Sequence, residues 1–294
     1  KKKATEQNFE IDNPSKQVLS SLLDHFQNGR LHDAEKLALS TTNKFPKHQF
    51  AWKVLGAVFG ATGRMSQAMD ANKTAVELSP EDATAHNNLG ITFQELERFD
   101  EAEASYRQAI ALKHDFAEAH YNFSVTLQTL GKLNDAESSC RQAIALKPDY
   151  AEAHNNLGIT LQELGRLEEA ESSYREATIL KPDYAEAHYN LGITLHELGR
   201  LEEAEANYRR TIALKSEYPE AHYNLGVILK QLGKLNEAES SYRNAITLKP
   251  DYAEAHNNLG IILQELRRFD EAESSYRNAI TLKPDYAEAH YNLG

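Results

Sequence analysis

The stretch Pro148-Asp149-Tyr150-Ala151-Glu152-Ala153-His154-Asn155-Asn156-Leu157-Gly158 returns almost unchanged at 182–192, 250–260 and 284–294, at intervals of 34 residues or a multiple of 34. A fixed period of that length marks an array in which each repeat stacks only on its neighbours, in place of one central core. Counted outward in steps of 34, the chain divides into a flexible lead-in at 1–14, a degenerate capping repeat at 15–48, seven regular repeats at 49–286, and the truncated first helix of a further repeat at 287–294. Positions are numbered 1 to 34 within a repeat, so that Ala83, Ala117 and Ala151 each stand at position 1.

Within 151–184 apolar residues recur twice at helical spacing, first as Ala153, Leu157, Leu161 and Leu164, then as Leu167, Ala170, Tyr174, Ala177 and Leu180. Each repeat is therefore expected to be two antiparallel helices. Asp149 with Glu152, and Asn134 with Glu137, have the spacing of capping boxes at the first and second helices. Thirteen of the fourteen glycines fall at position 8 or position 15. Glycine at 15 suits a helix-ending turn, whereas glycine at 8 lies inside a helix, at a cost of about 1 kcal/mol relative to alanine, so it must permit a close approach of helices. Alanine at position 20, from Ala34 to Ala272, is present in all eight complete repeats and marks a second tight contact.

The combination of Leu-Gly at positions 7 and 8, Ala at 20, Tyr at 24, Ala at 27 and Pro at 32, with Trp52 at position 4, resembles the tetratricopeptide repeat. The match is close over 49–286 and loose over 15–48, where Gly29, Ala34 and Pro46 carry it. What the resemblance implies is an all-α fold, a right-handed α-solenoid superhelix of stacked helix-turn-helix repeats, with first helices lining the concave side. Four departures fall in loops, Glu97 and Arg267 for the turn glycine and His114 and Ser216 for the proline. Cys140 replaces the tyrosine of position 24 and is read as a small buried filler that leaves its repeat less tightly packed.

Composition narrows the partners. The chain carries 44 acidic and 32 basic residues, a net charge of -12, and its only basic cluster is Lys1-Lys2-Lys3 at a solvated chain end. Nucleic acid, which needs clustered Lys and Arg, is not an expected partner. No window is long and apolar enough for a membrane span, so no membrane partner is expected either. The lone Cys140 forms neither an internal disulfide nor a zinc site, and a cytoplasmic location is the default expectation. Recurrent His at position 4, from His86 to His290, occurs once per repeat, too far apart to share a metal, and is read as packing. With no nucleophile beside a base, no phosphate loop and no metal cluster, neither catalysis nor a cofactor is expected.

The candidate site is the stripe of the first helix that does not face the second. Position 6 is Asn in each regular repeat after the first: Asn88, Asn122, Asn156, Asn190, Asn224 and Asn258, and again Asn292. Position 5 alternates between Asn87, Asn155, Asn257 and Tyr121, Tyr189, Tyr223. Position 12 is Gln94, Gln128, Gln162 and Gln264, with His196 and Lys230 as exceptions. An amide offers a donor and an acceptor, as a peptide backbone does. First helices about 10 Å apart would present one Asn for every three residues or so of an extended chain, at about 3.3 Å per residue. Such a ladder grips backbone regardless of sequence, and it resembles the asparagine-lined superhelix of O-linked N-acetylglucosamine transferases. The alternative is that these asparagines bond to adjacent repeats and fix curvature; recent duplication copies a residue whether or not it is used.

Glu at position 2, as in Glu118 and Glu152, is accounted for by capping. The carboxylate clamp of chaperone-binding relatives is not reproduced: Lys53 and Asn88 match it, while Ala57, Glu118 and Asn122 do not. The expected partners are therefore proteins or extended peptides of neutral to basic character. Two functions are open, an interaction scaffold and the substrate-recognition arm of a larger enzyme, such as a glycosyltransferase, with its catalytic domain beyond Gly294. The uncovered apolar face of 253–286 also suggests end-to-end self-association.

Overall fold

Glycine at position 15 and proline at position 32 cut the helical pattern into pieces of 12 to 14 residues. A computed structural model describes residues 13–294, and among these the only regular elements are α-helices. The lead-in read at 1–14 lies, but for Asn13 and Pro14, outside the described residues.

The chain forms two compact units. The first ends at Pro148 and holds α1 (Lys16–Gln27), α2 (Leu31–Lys44), α3 (Gln49–Ala61), α4 (Met65–Leu78), α5 (Ala83–Glu95), α6 (Phe99–Leu112), α7 (Ala117–Thr129) and α8 (Leu133–Leu146). Within it each odd helix packs along the even helix that follows, and α2, α4 and α6 pack on the next first helix in turn. The second begins at Asp149 and holds α9 (Ala151–Glu163), α10 (Leu167–Leu180), α11 (Ala185–Glu197), α12 (Leu201–Leu214), α13 (Pro219–Gln231), α14 (Leu235–Leu248), α15 (Ala253–Glu265), α16 (Phe269–Leu282) and the short α17 (Ala287–Leu293). Its helix pairs stack in the same order.

The turn inside each pair has one geometry. Gly165 takes φ of +74°, its N–H donates to Gln162 O at 2.9 Å and the next N–H, of Arg166, donates to Leu161 O at 2.9 Å. These two bonds satisfy carbonyls that a helix end leaves open. Glu97 and Arg267 hold the same turn with φ of 57° and 60°.

Glycine at position 8 exists for the tyrosine ring opposite it. A Cβ built on Gly158 would lie 2.6 Å from Tyr174 Cε1, and one on Gly260 would lie 2.5 Å from Tyr276 Cε1, distances no real contact sustains. The rings so admitted are among the most buried side chains, with Tyr106 and Tyr242 at 0% exposure. Repeat 117–150 changes both partners together: Ser124 replaces the glycine and the buried Cys140 the tyrosine. Cys140 thus belongs to a compensated pair, which the reading of it as an isolated filler missed. The alanines of position 20 from Ala34 to Ala238 are all at 0% exposure, where a larger side chain would force the helices apart.

Three readings of the sequence are corrected. The proposed capping boxes do not form, because α9 is capped at Tyr150 and α8 at Lys132, neither with a side-chain bond. Asn134 therefore lies inside α8, and Asp149 falls one residue too early. Among regular repeats side-chain capping is seen at Asp82, whose Oδ1 accepts from Thr84 N at 2.9 Å and Ala85 N at 3.2 Å. Glutamate at position 2 braces its own repeat instead: Lys181 Nζ lies 2.9 Å from Glu152 Oε1, and Lys283 Nζ 3.5 Å from Glu254 Oε1. Histidine at position 4 does more than pack. His86, His256 and His290 place Nε2 2.9, 3.1 and 2.9 Å from the carbonyl six residues earlier, which only accepts, so Nε2 donates. Trp52 makes the same bond to Pro46 O at 2.8 Å.

Second helices are linked by ion pairs from repeat to repeat. Glu35 receives Arg64 at 2.6 Å and Glu103 receives Lys132 at 2.7 Å in the first unit; in the second, Glu171 receives Arg200 at 2.6 Å and Glu239 receives Arg268 at 2.7 Å.

Candidate functional site

The first helices bring the stripe residues together across repeat boundaries. In the first unit Asn122 Nδ2 donates to Asn87 Oδ1 at 3.1 Å. In the second, Asn190 donates to Asn155 Oδ1, Asn224 to Tyr189 Oη, Asn258 to Tyr223 Oη and Asn292 to Asn257 Oδ1, each at 3.1 Å. Position 6 of one repeat therefore holds position 5 of the repeat before it, and either an amide or a phenol oxygen serves as acceptor. That explains why position 5 alternates between Asn and Tyr while position 6 does not vary.

The exception is instructive. Asn88 faces a repeat whose position 5 is Lys53, which has no acceptor, and Lys53 is itself engaged with Asp82 Oδ2 at 2.7 Å. The side-chain amide of Asn88 makes no hydrogen bond among the described residues, although its backbone oxygen accepts from Thr92 Oγ1 at 2.9 Å. Burial would raise the Asp82 carboxyl, but hydrogen bonds from Lys53 and Gln49 outweigh it and hold it down to about 2.

Glutamine at position 12 is tied inward by its oxygen. Gln94 Oε1 accepts from Tyr106 Oη at 3.2 Å and Thr126 Oγ1 at 2.9 Å; Gln162 Oε1 accepts from Tyr174 Oη at 3.1 Å, and Gln264 Oε1 from Tyr276 Oη at 2.8 Å. Gln128 and Tyr121 are half-buried on the same stripe, and Asn156 is buried. Lys230 pairs with Glu265 at 3.6 Å, and His196 stands half-buried at the equivalent place.

One set of groove residues escaped the sequence reading. Tyrosine at position 34 is not among the candidates named from the sequence, but Tyr218 stacks on Tyr189 with ring centroids 4.8 Å apart, and Tyr252 lies 4.9 Å from Tyr223. Lys215 and Lys249 lie over these rings at 4.9 and 4.7 Å. Burial, with nearby Tyr189 and glutamates adding to it, pushes the Tyr218 hydroxyl up to about 12. The available signal was the aromatic at 34 in successive repeats, a place where a cap calls for Ser, Thr, Asp or Asn.

Among the described residues no group of three or more His, Cys, Asp or Glu is placed to hold a metal, and no helix is long and apolar enough to cross a membrane.

Family models described as "Tetratricopeptide repeat" match residues 22–83, 121–185 and 155–219, and also 83–116 and 253–286; a model described as "TPR repeat" matches 228–267. Solved structures with a similar fold include YrrB, described as a TPR protein with an unusual peptide-binding site, at 24% identity and a TM-score of 0.58, covering 63% of this chain and 96% of its own. The Cut9–Hcn1 assembly of the APC/C is similar at 16% identity and a TM-score of 0.64, over 97% of this chain and 56% of that one. PilF of Pseudomonas aeruginosa is similar at 22% identity and a TM-score of 0.64, over 71% of this chain and 95% of its own. No curated protein sequence matches the chain significantly.

Proposed function

The chain belongs to the tetratricopeptide repeat family, and from that premise we propose that it is a protein–protein interaction scaffold which holds extended peptide segments along the asparagine stripe of its first helices. The observation that carries the reading is the bond from position 6 to position 5 of the preceding repeat. An asparagine amide has two N–H donors and an oxygen acceptor, and this bond engages one N–H. The rotamer is thereby fixed before any ligand arrives, while a second donor remains for a peptide unit, together with the oxygen at Asn190 and Asn224; that of Asn258 already accepts from Asn257 Nδ2 at 3.4 Å. Fixing the rung in advance removes only a fraction, roughly 0.3 kcal/mol per side chain, of the ordering cost of binding. Inter-repeat bonding and ligand contact are then two uses of one side chain. The net charge of -12 favours neutral or basic segments over acidic ones.

The test separates the two uses. Asn190→Ala, Asn224→Ala and Asn258→Ala together remove the rungs, whereas Tyr189→Phe with Tyr223→Phe removes two inter-repeat acceptors and leaves every amide in place. Titrated with a peptide selected on the wild-type array, the alanine variant is expected to bind at least about tenfold more weakly and the phenylalanine variant within about threefold of wild type. Helicity by circular dichroism stays unchanged in both. Equal losses in the two variants would assign the asparagines to curvature alone.

A further inference from the structure

Repeat 49–82 departs from the others at the two places that fill the space behind the groove. Position 24, Tyr in five repeats, is Asn72, and position 12, which is Gln, His or Lys in the other regular repeats, is Gly60. In repeat 83–116 the ring of Tyr106 lies against Gly90 and its hydroxyl donates to Gln94. Here ring and amide are both missing, and α3, α4 and α5 leave a cleft of about 410 Å³. Gly56, Ala57, Gly60 and Ile91 form its walls, Asn72 its floor and Asn88 its rim.

Two polar groups in this cleft are unmet. Asn72 is 2% exposed and its Nδ2 donates to Thr92 Oγ1 at 2.9 Å, yet its Oδ1 has no hydrogen-bond partner. That oxygen points at the glycine wall, 2.2 Å from where a Cβ on Gly56 would stand. Among the described residues the Asn88 side-chain amide at the rim makes no hydrogen bond either. A buried acceptor without a donor is costly, and such sites in native proteins call for a partner. Nothing fills the mouth at Gly60, where an added Cβ would meet no atom within 4 Å.

We infer that this cleft is a socket for one tyrosine side chain of a bound peptide, which would occupy the place that tyrosine at position 24 fills in other repeats. The small apolar walls take the ring, and the phenol hydroxyl, entering first, brings a donor to the floor, where the Asn72 amide turns its covered oxygen away from Gly56 to meet it. A phenylalanine would fill the walls and leave Asn72 Oδ1 unmet. The inference rests on the peptide-groove reading and adds an anchor to it: the ladder grips backbone along the stripe, and the socket sets the register.

The probe is p-cresol, the tyrosine side-chain fragment, titrated into the ¹⁵N-labelled full chain beside toluene. Saturable shifts at Gly56, Gly60 and the side-chain amides of Asn72 and Asn88 are expected, larger for p-cresol than for toluene. Asn72→Tyr restores the ring of the other repeats and should abolish them; Gly60→Gln, which closes the mouth and favours the helix, is the second variant should the first not fold. A neutral Gly/Ser-rich peptide with one tyrosine should bind about tenfold more tightly than its alanine counterpart, a ratio that falls to about one in either variant. Absence of p-cresol shifts, or shifts that persist in both variants, overturns the socket. Equal binding of both peptides without a p-cresol response overturns the socket and leaves the groove standing, whereas p-cresol binding without peptide binding overturns the groove reading and the peptide occupant with it.

Discussion

Glu97 and Arg267 hold the turn between the helices of their repeats at φ of 57° and 60°, a conformation the other turns give to glycine. The left-handed region costs a non-glycine residue roughly 1–2 kcal/mol. Glu97→Gly and Arg267→Gly are therefore expected to raise stability by about 1 kcal/mol each in thermal melts, less the extra entropy glycine loses on folding. Ser124 and Cys140 give a second prediction. Cys140→Tyr alone should destabilise by about 1–3 kcal/mol, because the incoming ring meets the Cβ of residue 124. Adding Ser124→Gly should recover most of that loss, and a double-mutant cycle reads the coupling directly. Neither glycine role needed coordinates: a left-handed turn and a close helix approach are local demands that glycine alone meets, so recurrence exposes them. The capping boxes failed for an equally local reason, since Asp-x-x-Glu fits either register around position 34 and the chain takes the one that puts Tyr150 at the cap. Partners of the groove asparagines lay beyond such reading, because residues 35 apart meet through the rise of the array and not through any motif.

Along the helices, charge carries repeat to repeat. The Lys132 ammonium beside Glu103 holds that carboxyl below the usual 4.5, against some burial. For Glu205 burial pushes upward, but Lys234 and Arg209 outweigh it. A carboxyl whose folded value is depressed contributes stability that is fully present above its unfolded value and is lost as pH falls through the folded one. Stability is therefore expected to hold from neutral pH down to about 5 and to fall progressively toward about pH 2, where Asp82 takes up its proton. Each pair is partly exposed and worth about 0–1 kcal/mol, so the decline should be gradual and should shrink in high salt. Chemical denaturation across that pH range checks it, and Lys53→Met, which removes the partner of Asp82, should flatten its lowest part. The ladder joins Glu at position 21 to a basic residue at 16 of the next repeat, which the sequence reading did not single out, because residues 29 apart meet only through the rise of the array.

For the whole molecule, the repeats supply a surface: the amides of Asn122, Asn190, Asn224, Asn258 and Asn292 are each held by the repeat before, with aromatic pairs such as Tyr189 and Tyr218 beside them. Under the proposed function such a surface would read backbone first and side chains second, with the proposed socket at Asn72 demanding one side chain. The most direct test compares one peptide selected on the array in three forms, all keeping its anchoring tyrosine in place: as selected, with the other residues shuffled, and with alternate backbone amides N-methylated. A backbone ladder predicts that shuffling changes the dissociation constant by less than about fivefold and that N-methylation weakens it by at least about tenfold. Loss of binding on shuffling, with N-methylation tolerated, would contradict it.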